Sequence, residues 1–179
     1  DRLDRAGTRQ FVSVEGHAAT CADIQHQAIG RGLIVYRRAA PYPSMVNFDA
    51  PDRGICTVQR ARTNTPLQAL TLMNDPAYVE MAYAFGDRIA SASDDNAERF
   101  DFAFHAAFAR RPTAAELSHL NQIYLERVTA FRSDPEAAKQ LIDGVRGYHQ
   151  AKHQDNAELA AWFYVATVLF NLDEMITKP

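Results

Sequence analysis

The chain has 179 residues, is 47% hydrophobic and 23% charged, and carries a formal net charge of −3 with two cysteines. That length and apolar content support one buried core and exclude a disordered chain, and the near-neutral balance excludes the strongly basic surface of a nucleic-acid binder. The charge is unevenly spread, since residues 1–62 hold nine arginines against six acids and the remainder holds ten bases against sixteen acids. Cys21 and Cys56 are too few for a disulfide scaffold. They also lack the CxxC or CxxCH spacing of a zinc knuckle or a covalent haem. They read as two small buried thiols, with a single bridge left open. No signal peptide opens the chain, and its start at Asp1 without a methionine suggests a mature product or an excised fragment.

In chain order, residues 1–32 carry the weakest pattern. Phe11, Val12 and Val14 alternate as in a short strand, and Ala22, Ile24, Ala28 and Ile29 fall loosely on one side of a helix. Gly30 and Gly32 break the chain before the apolar run LIVYRR. Pro41, Pro43 and Pro51 then forbid a continuous helix and push their preceding residues toward extended conformations. Asp49 and Asp52 are natural turn acceptors in this loop, followed closely by Arg53, Arg60, Arg62, Asn64 and Thr65. Two readings of that set stay open. In one, the acids and arginines pin an irregular loop to the helical body through charge-assisted hydrogen bonds. In the other, Arg53, Arg60 and Arg62 line an anion or sugar site with Asp49 as an acceptor.

Thr65 with Pro66 predicts a helix start, because the hydroxyl caps an orphan amide and proline fits the first helical position. Leu67, Leu70 and Met73 share one face of this short helix. Asp75 with Pro76 repeats the device, opening a helix with Tyr78, Ala82, Phe85 and Ile89 as its core face and making a sharp, rigid corner. A third helix follows SASDDN with Phe100, Phe104 and Phe108 one turn apart, a packing stripe flanked by Ala103 and Ala107. After ARRP, Thr113 to Glu116 predicts a capping box for a helix carrying Leu117, Leu120, Tyr124, Val128 and Phe131. Asp134 and Pro135 cap a fifth helix with Ala138, Leu141, Ile142 and Val145. The last helix is expected over residues 156–176. Its centre LAAWFYVATVLFNL is apolar nearly all round, so it should be the buried element on which the others pack. These fourteen residues fall short of the ~20 a bilayer needs, so no membrane span is expected.

Other chemistry is thin. His149 and His153 are four apart, yet no glutamate occupies the metalloprotease position and no third ligand is placed, so a solvated joint is the expectation rather than a metal site. His105 and His119 are read as partly buried packing residues. GxSxG, GxxxxGK and GxGxxG patterns do not occur. Asp173 and Glu174 point apart on a helix, which argues against a catalytic pair and for a solvated role or a loop arginine as partner.

The stretch RRAAPYPSMVNFDAPDRGICTVQRARTNTPLQALTLMNDPAYVEMA, joined by FHAAFARRPTAAEL and the closing LAAWFYVATVLFNLDEMIT, resembles the PSD family, a planctomycete-type domain of unknown function. Residues matching its densest motif are Phe48, Asp49, Asp52, Arg53, Cys56, Arg60, Arg62, Asn64, Thr65, Gln68 and Asn74. The resemblance runs from about Tyr36 to Thr177, which divides the chain into a divergent or truncated segment, 1–32, and a helical domain, 33–179. It implies the C-terminal domain of large exported proteins with cytochrome-c-like and helical domains upstream, hence a periplasmic or otherwise extracytoplasmic setting. Haem c is then expected only on those associated domains, with no cofactor or metal in this chain. No catalytic residue carries over, because the family has none assigned. Polysaccharide breakdown has been suggested for the family from the company its members keep.

The expectation is therefore an all-α domain, an irregular bundle of about five or six helices with a proline-rich loop on its N-terminal side. The leading functional expectation is a non-catalytic structural or interaction module that docks on its upstream domains. The alternative is a carbohydrate-binding or polysaccharide-degrading domain using Asp49, Asp52, Arg53, Arg60, Arg62 and Asn64, with Trp162 or Tyr42 as a stacking platform for glycans. A third is direct haem contact through a histidine or methionine.

Overall fold

The structure is a computed structural model and describes residues 2–3, 9–10, 43–50, 63–145, 150–153 and 155–177. The chain divides into two compact units, residues 1–42 and 43–179. In the first, β1 (Arg2–Leu3) pairs antiparallel with β2 (Arg9–Gln10), Arg2 opposite Gln10. The strand expected around Phe11 to Val14, the helix expected near Ala22 to Ile29, Tyr42 and both cysteines lie outside the described residues.

The second unit is all-α, as expected. Its described elements are α1 (Pro43–Asn47), α2 (Pro66–Asn74), α3 (Pro76–Ala90), α4 (Asn96–Phe108), α5 (Ala114–Ser133), α6 (Pro135–Val145), α7 (Asn156–Phe170) and α8 (Asp173–Ile176). Pro43 begins α1, so a short helix interrupts the proline-rich loop. Proline is compatible with a first helical turn, where its missing N–H would have no partner. Thr65 and Gln68 form a capping box at the start of α2. Asp75 ends α2 and caps α3 through Ala77 N at 3.0 Å. One residue thus closes one helix and opens the next, which fixes the corner. At the α4–α5 corner Ala109 takes a left-handed conformation, φ 57°, and Thr113 with Glu116 forms the expected capping box. Asp134 likewise accepts from Ala137 N at the start of α6.

Helix α7 is the axis of the unit. Leu159, Ala160, Ala161, Trp162, Val165, Ala166 and Leu169 are all essentially inaccessible to solvent. One core cluster gathers Ile89, Phe100, Phe104, Leu120, Tyr124 and Val128 around Trp162. A second gathers Ala82, Tyr83, Ala138 and Ile142 around Leu159 and Phe163. Stripes of period 3.6 on α3 to α6 all face this one apolar helix, the arrangement its composition demands. None of the described helices is long and apolar enough to cross a membrane.

Three expectations need correcting. The last helix does not run unbroken to residue 176. Asn171 donates its side-chain amide back to Thr167 O, Leu172 is extended, and α8 starts afresh at Asp173. His105 and His119 are exposed, because the buried arcs of α4 and α5 pass through Phe100, Phe104 and Leu120 instead. Of the two histidines expected in a solvated joint, His149 lies outside the described residues and His153 is not solvated. Its backbone N–H and that of Lys152 both donate to the buried carboxylate of Asp87 at 2.9 Å, and its ring meets Glu158 at 3.2 Å.

Candidate functional site

The described part of the family motif forms a polar clasp between α1, α2 and the C-terminal turn. Asp49 sits at φ 56° and accepts from Thr63 N at 3.1 Å and from Thr63 Oγ1 at 2.6 Å. Asparagine and aspartate tolerate this left-handed region better than most residues, and two hydrogen bonds at the carboxylate hold the turn closed. Gln68 is fully buried. It donates to Asn47 O at 2.8 Å and Thr63 Oγ1 at 2.9 Å and accepts from Thr65 N at 2.8 Å, so one amide ties the end of α1 to the start of α2. Ser44 donates to Asp75 at 2.9 Å and Asn47 to Thr71 at 3.0 Å. Asn64 donates to Asp173 at 2.8 Å, linking the clasp to α8 across 109 residues.

Of the six candidate binding residues, the structure describes Asp49 and Asn64. It places both in hydrogen bonds within the protein. Asp52, Arg53, Arg60 and Arg62 lie outside the described residues. Trp162, proposed above as a stacking platform, is wholly interior, between Phe100 at 5.0 Å and Tyr124 at 4.6 Å. It presents no face to a sugar.

Asp173 and Glu174 do point apart, as adjacent helical residues must. Glu174 chelates Arg110, accepting from Nε at 3.0 Å and Nη2 at 2.7 Å, and Arg110 also reaches Glu116 at 2.7 Å. The guanidinium covers the rings of Phe104 and Phe108 at 5.2 and 5.7 Å. The Arg110 guanidinium, helped by the backbone N–H of Thr113, holds the Glu116 carboxyl down at about 2. Arg110 also lowers Glu174. Of the two acids, Glu174 meets an arginine, on the α4–α5 corner, whereas Asp173 accepts from Asn64 and Thr177.

Behind the clasp lies a recess of about 190 Å³. Phe48 follows α1, Leu72 comes from α2, Tyr78 and Met81 from α3, Phe170 from α7, and Met175 and Ile176 from α8. Burial raises the pKa of Tyr78, with a hydrogen bond to Ser44 opposing and the charge of Asp75 adding to the rise. Sequence reading missed this recess. Its one local signal was Phe48 beside Asp49, an aromatic placed next to a turn acceptor.

A further polar cluster surrounds Glu158 at the start of α7. Arg132 approaches it at 3.2 Å, Arg99 at 3.5 Å and His153 at 3.2 Å, although His153 Nε2 lacks hydrogen-bond geometry to that carboxylate. Arg99 also donates to Asn96 and to Ser93 O. Burial raises Tyr124 nearby, with Glu158 adding to the rise. The charged contacts to Glu158 fasten α4, α5 and the 150–153 segment to α7. Among the described residues no three His, Cys, Asp or Glu side chains gather to hold a metal ion.

Comparison with curated proteins and with solved structures gives no match. A family match extends over residues 6–124, which takes in residues ahead of Leu33, the whole clasp between Ser44 and Asp75, and the helices up to the middle of α5. On that match the chain belongs to PSD1, a family of proteins of unknown function (DUF1553).

Proposed function

We propose that this chain is a non-catalytic structural or interaction domain of an exported multidomain protein, seated against the neighbouring domains of the same polypeptide through the α1–α2 corner. The observation that carries the reading is how α2 uses its residues. Its polar Gln68 is turned inward at 1% exposure, while Leu67, Leu70 and Met73 stand outward at 56%, 57% and 47%, beside Val46 at 55%. These three apolar residues share one face by sequence, as expected, but it is the face the clasp leaves outside. An apolar face on a helix so firmly positioned is better suited to a partner than to water. The polar residues of the described motif, in turn, are engaged in holding that face in place, which favours scaffolding over chemistry. In this reading the neighbours are the cytochrome-c-like and helical domains of the family resemblance, haem c belongs to them, and the setting is extracytoplasmic.

The test compares amide hydrogen exchange of α2 in this chain alone and in the longer polypeptide. Slowed exchange over residues 66–74 in the longer protein is expected, together with its loss in Leu70→Glu. Because Leu70 is exposed, that substitution should leave the chain's own stability within about 0.5 kcal/mol. Equal exchange in both settings overturns the proposal.

A further inference from the structure

We propose that the recess behind the clasp binds a small, neutral, apolar molecule about the size of one aromatic ring, of the benzene or indole class. Size is the first argument. An apolar cavity of about 150 Å³ is large enough to take up benzene. At about 190 Å³ this recess offers slightly more room than that.

Lining chemistry is the second argument. Among the described residues no charged side chain lines the recess, and the walls they form are aromatic, thioether and aliphatic. The Ser44 hydroxyl, beside Tyr78, donates to Asp75 at 2.9 Å. Asp75 in turn caps α3. Tyr78 lines the recess, and the nearby polar groups of Ser44 and Asp75 are paired with each other. A sugar laid against these apolar walls would leave the hydroxyls that face them unpaired.

Shape is the third. Phe48 lies tilted at 53° to Tyr78 with centroids 5.7 Å apart, and Phe170 is held by stacking on Phe85 at 5.7 Å. These give two ring surfaces of fixed orientation. Met81 and Met175 supply the adaptable part, since an unbranched thioether adjusts to an incoming ring and its sulfur is attracted to the ring edge. Helix α8, which carries Met175, is anchored by Asn64 to Asp173 and by Arg110 to Glu174. The wall it forms is consequently positioned rather than free to collapse inward. This inference is independent of the domain-docking proposal, which concerns the outward face of α2.

The test uses the whole chain with fluorobenzene as the probe, followed by fluorine NMR and by the methyl signals of the four methionines, Met45, Met73, Met81 and Met175. Saturable binding is expected, with ring-current shifts at Met81 and Met175 and none at Met73, whose side chain stands on the outer face of α2. Benzylamine, similar in size but cationic, should bind at least about tenfold more weakly because nothing in the recess replaces its hydration. Met175→Trp should fill the space and abolish the shift at Met81. Absence of saturation up to the probe's solubility overturns the assignment. So do shifts spread equally over Met73, or benzylamine binding as tightly as fluorobenzene. The methyl shifts of the unsubstituted chain decide the matter even where Met175→Trp does not fold.

Discussion

At Gly86 the backbones of α3 and α7 approach closely. A β-carbon there would lie 2.9 Å from the backbone nitrogen of Phe163 and 3.0 Å from the carbonyl carbon of Trp162. Both obstacles are main chain, so no side-chain rotation relieves them. Gly86→Ala should force the two helices apart and cost about 1–3 kcal/mol, the usual penalty of overpacking a close-packed core. Urea unfolding checks this, and a midpoint unchanged from wild type would mean that α3 and α7 are less tightly seated than their backbones indicate. Gly144 offers the contrast, since a β-carbon there meets nothing within 4 Å. The same substitution at that exposed helical position should be neutral or mildly stabilising, because it reduces the conformational freedom of the unfolded chain.

At the scale of elements, the corners decide the architecture, and Arg110 is the most instructive of them. It joins the end of α4 to Glu116 at the start of α5 and to Glu174 in α8. Both carboxyls titrate below their usual range, Glu116 from 4.5 to about 2. A carboxyl lowered by folding contributes stability that is fully present above its unfolded pKa and is lost as pH falls through the folded value. The contribution from this corner should therefore fade between pH 4.5 and about 2. Arg110 and its partners are about one-third exposed, so solvent screening keeps each pair weak. We expect Arg110→Ala to lower the thermal midpoint by about 2–4 °C at neutral pH and to flatten the decline of stability below pH 4.5. A variant whose pH profile superimposes on that of wild type would show that the corner is held by packing of Phe104 and Phe108 alone. Such corners were largely legible in the sequence. Thr65, Asp75, Thr113 and Asp134 announce helix starts through residue types at fixed local spacings, and each caps as expected. What could not be read is anything that depends on distant partners. Gln68 looks like an ordinary helical surface residue until Asn47 and Thr63 meet it. Asp87 is buried where the backbone of residues 152 and 153, some 65 positions later, meets its carboxylate. The apolar recess likewise draws on five separated stretches of chain.

For the 43–179 unit as a whole, the sharing of α7 between two core clusters determines how it should unfold. Trp162 belongs to one cluster with Phe100 and Tyr124, and Phe163, the next residue along the helix, belongs to the other with Tyr83 and Ile142. Neither cluster can lose its packing without removing the neighbours that keep α7 helical for the other, so the two should melt together. Trp162 is the chain's only tryptophan and is wholly buried, which makes its fluorescence a reporter of one cluster while far-UV circular dichroism reports all the helices. The two signals should give coincident unfolding curves, the mark of a single cooperative transition. Trp162→Ala should shift that transition by about 3–5 kcal/mol through lost contact and the cavity left behind. Trp162→Phe should cost much less, because among the described residues the indole N–H has no hydrogen-bond partner to forfeit. Fluorescence and dichroism midpoints that separate would assign each cluster its own stability and make α7 a junction between two subdomains. A large loss in Trp162→Phe would instead show that the volume of the second ring, rather than any polar contact, fixes how α4 and α5 sit against α7.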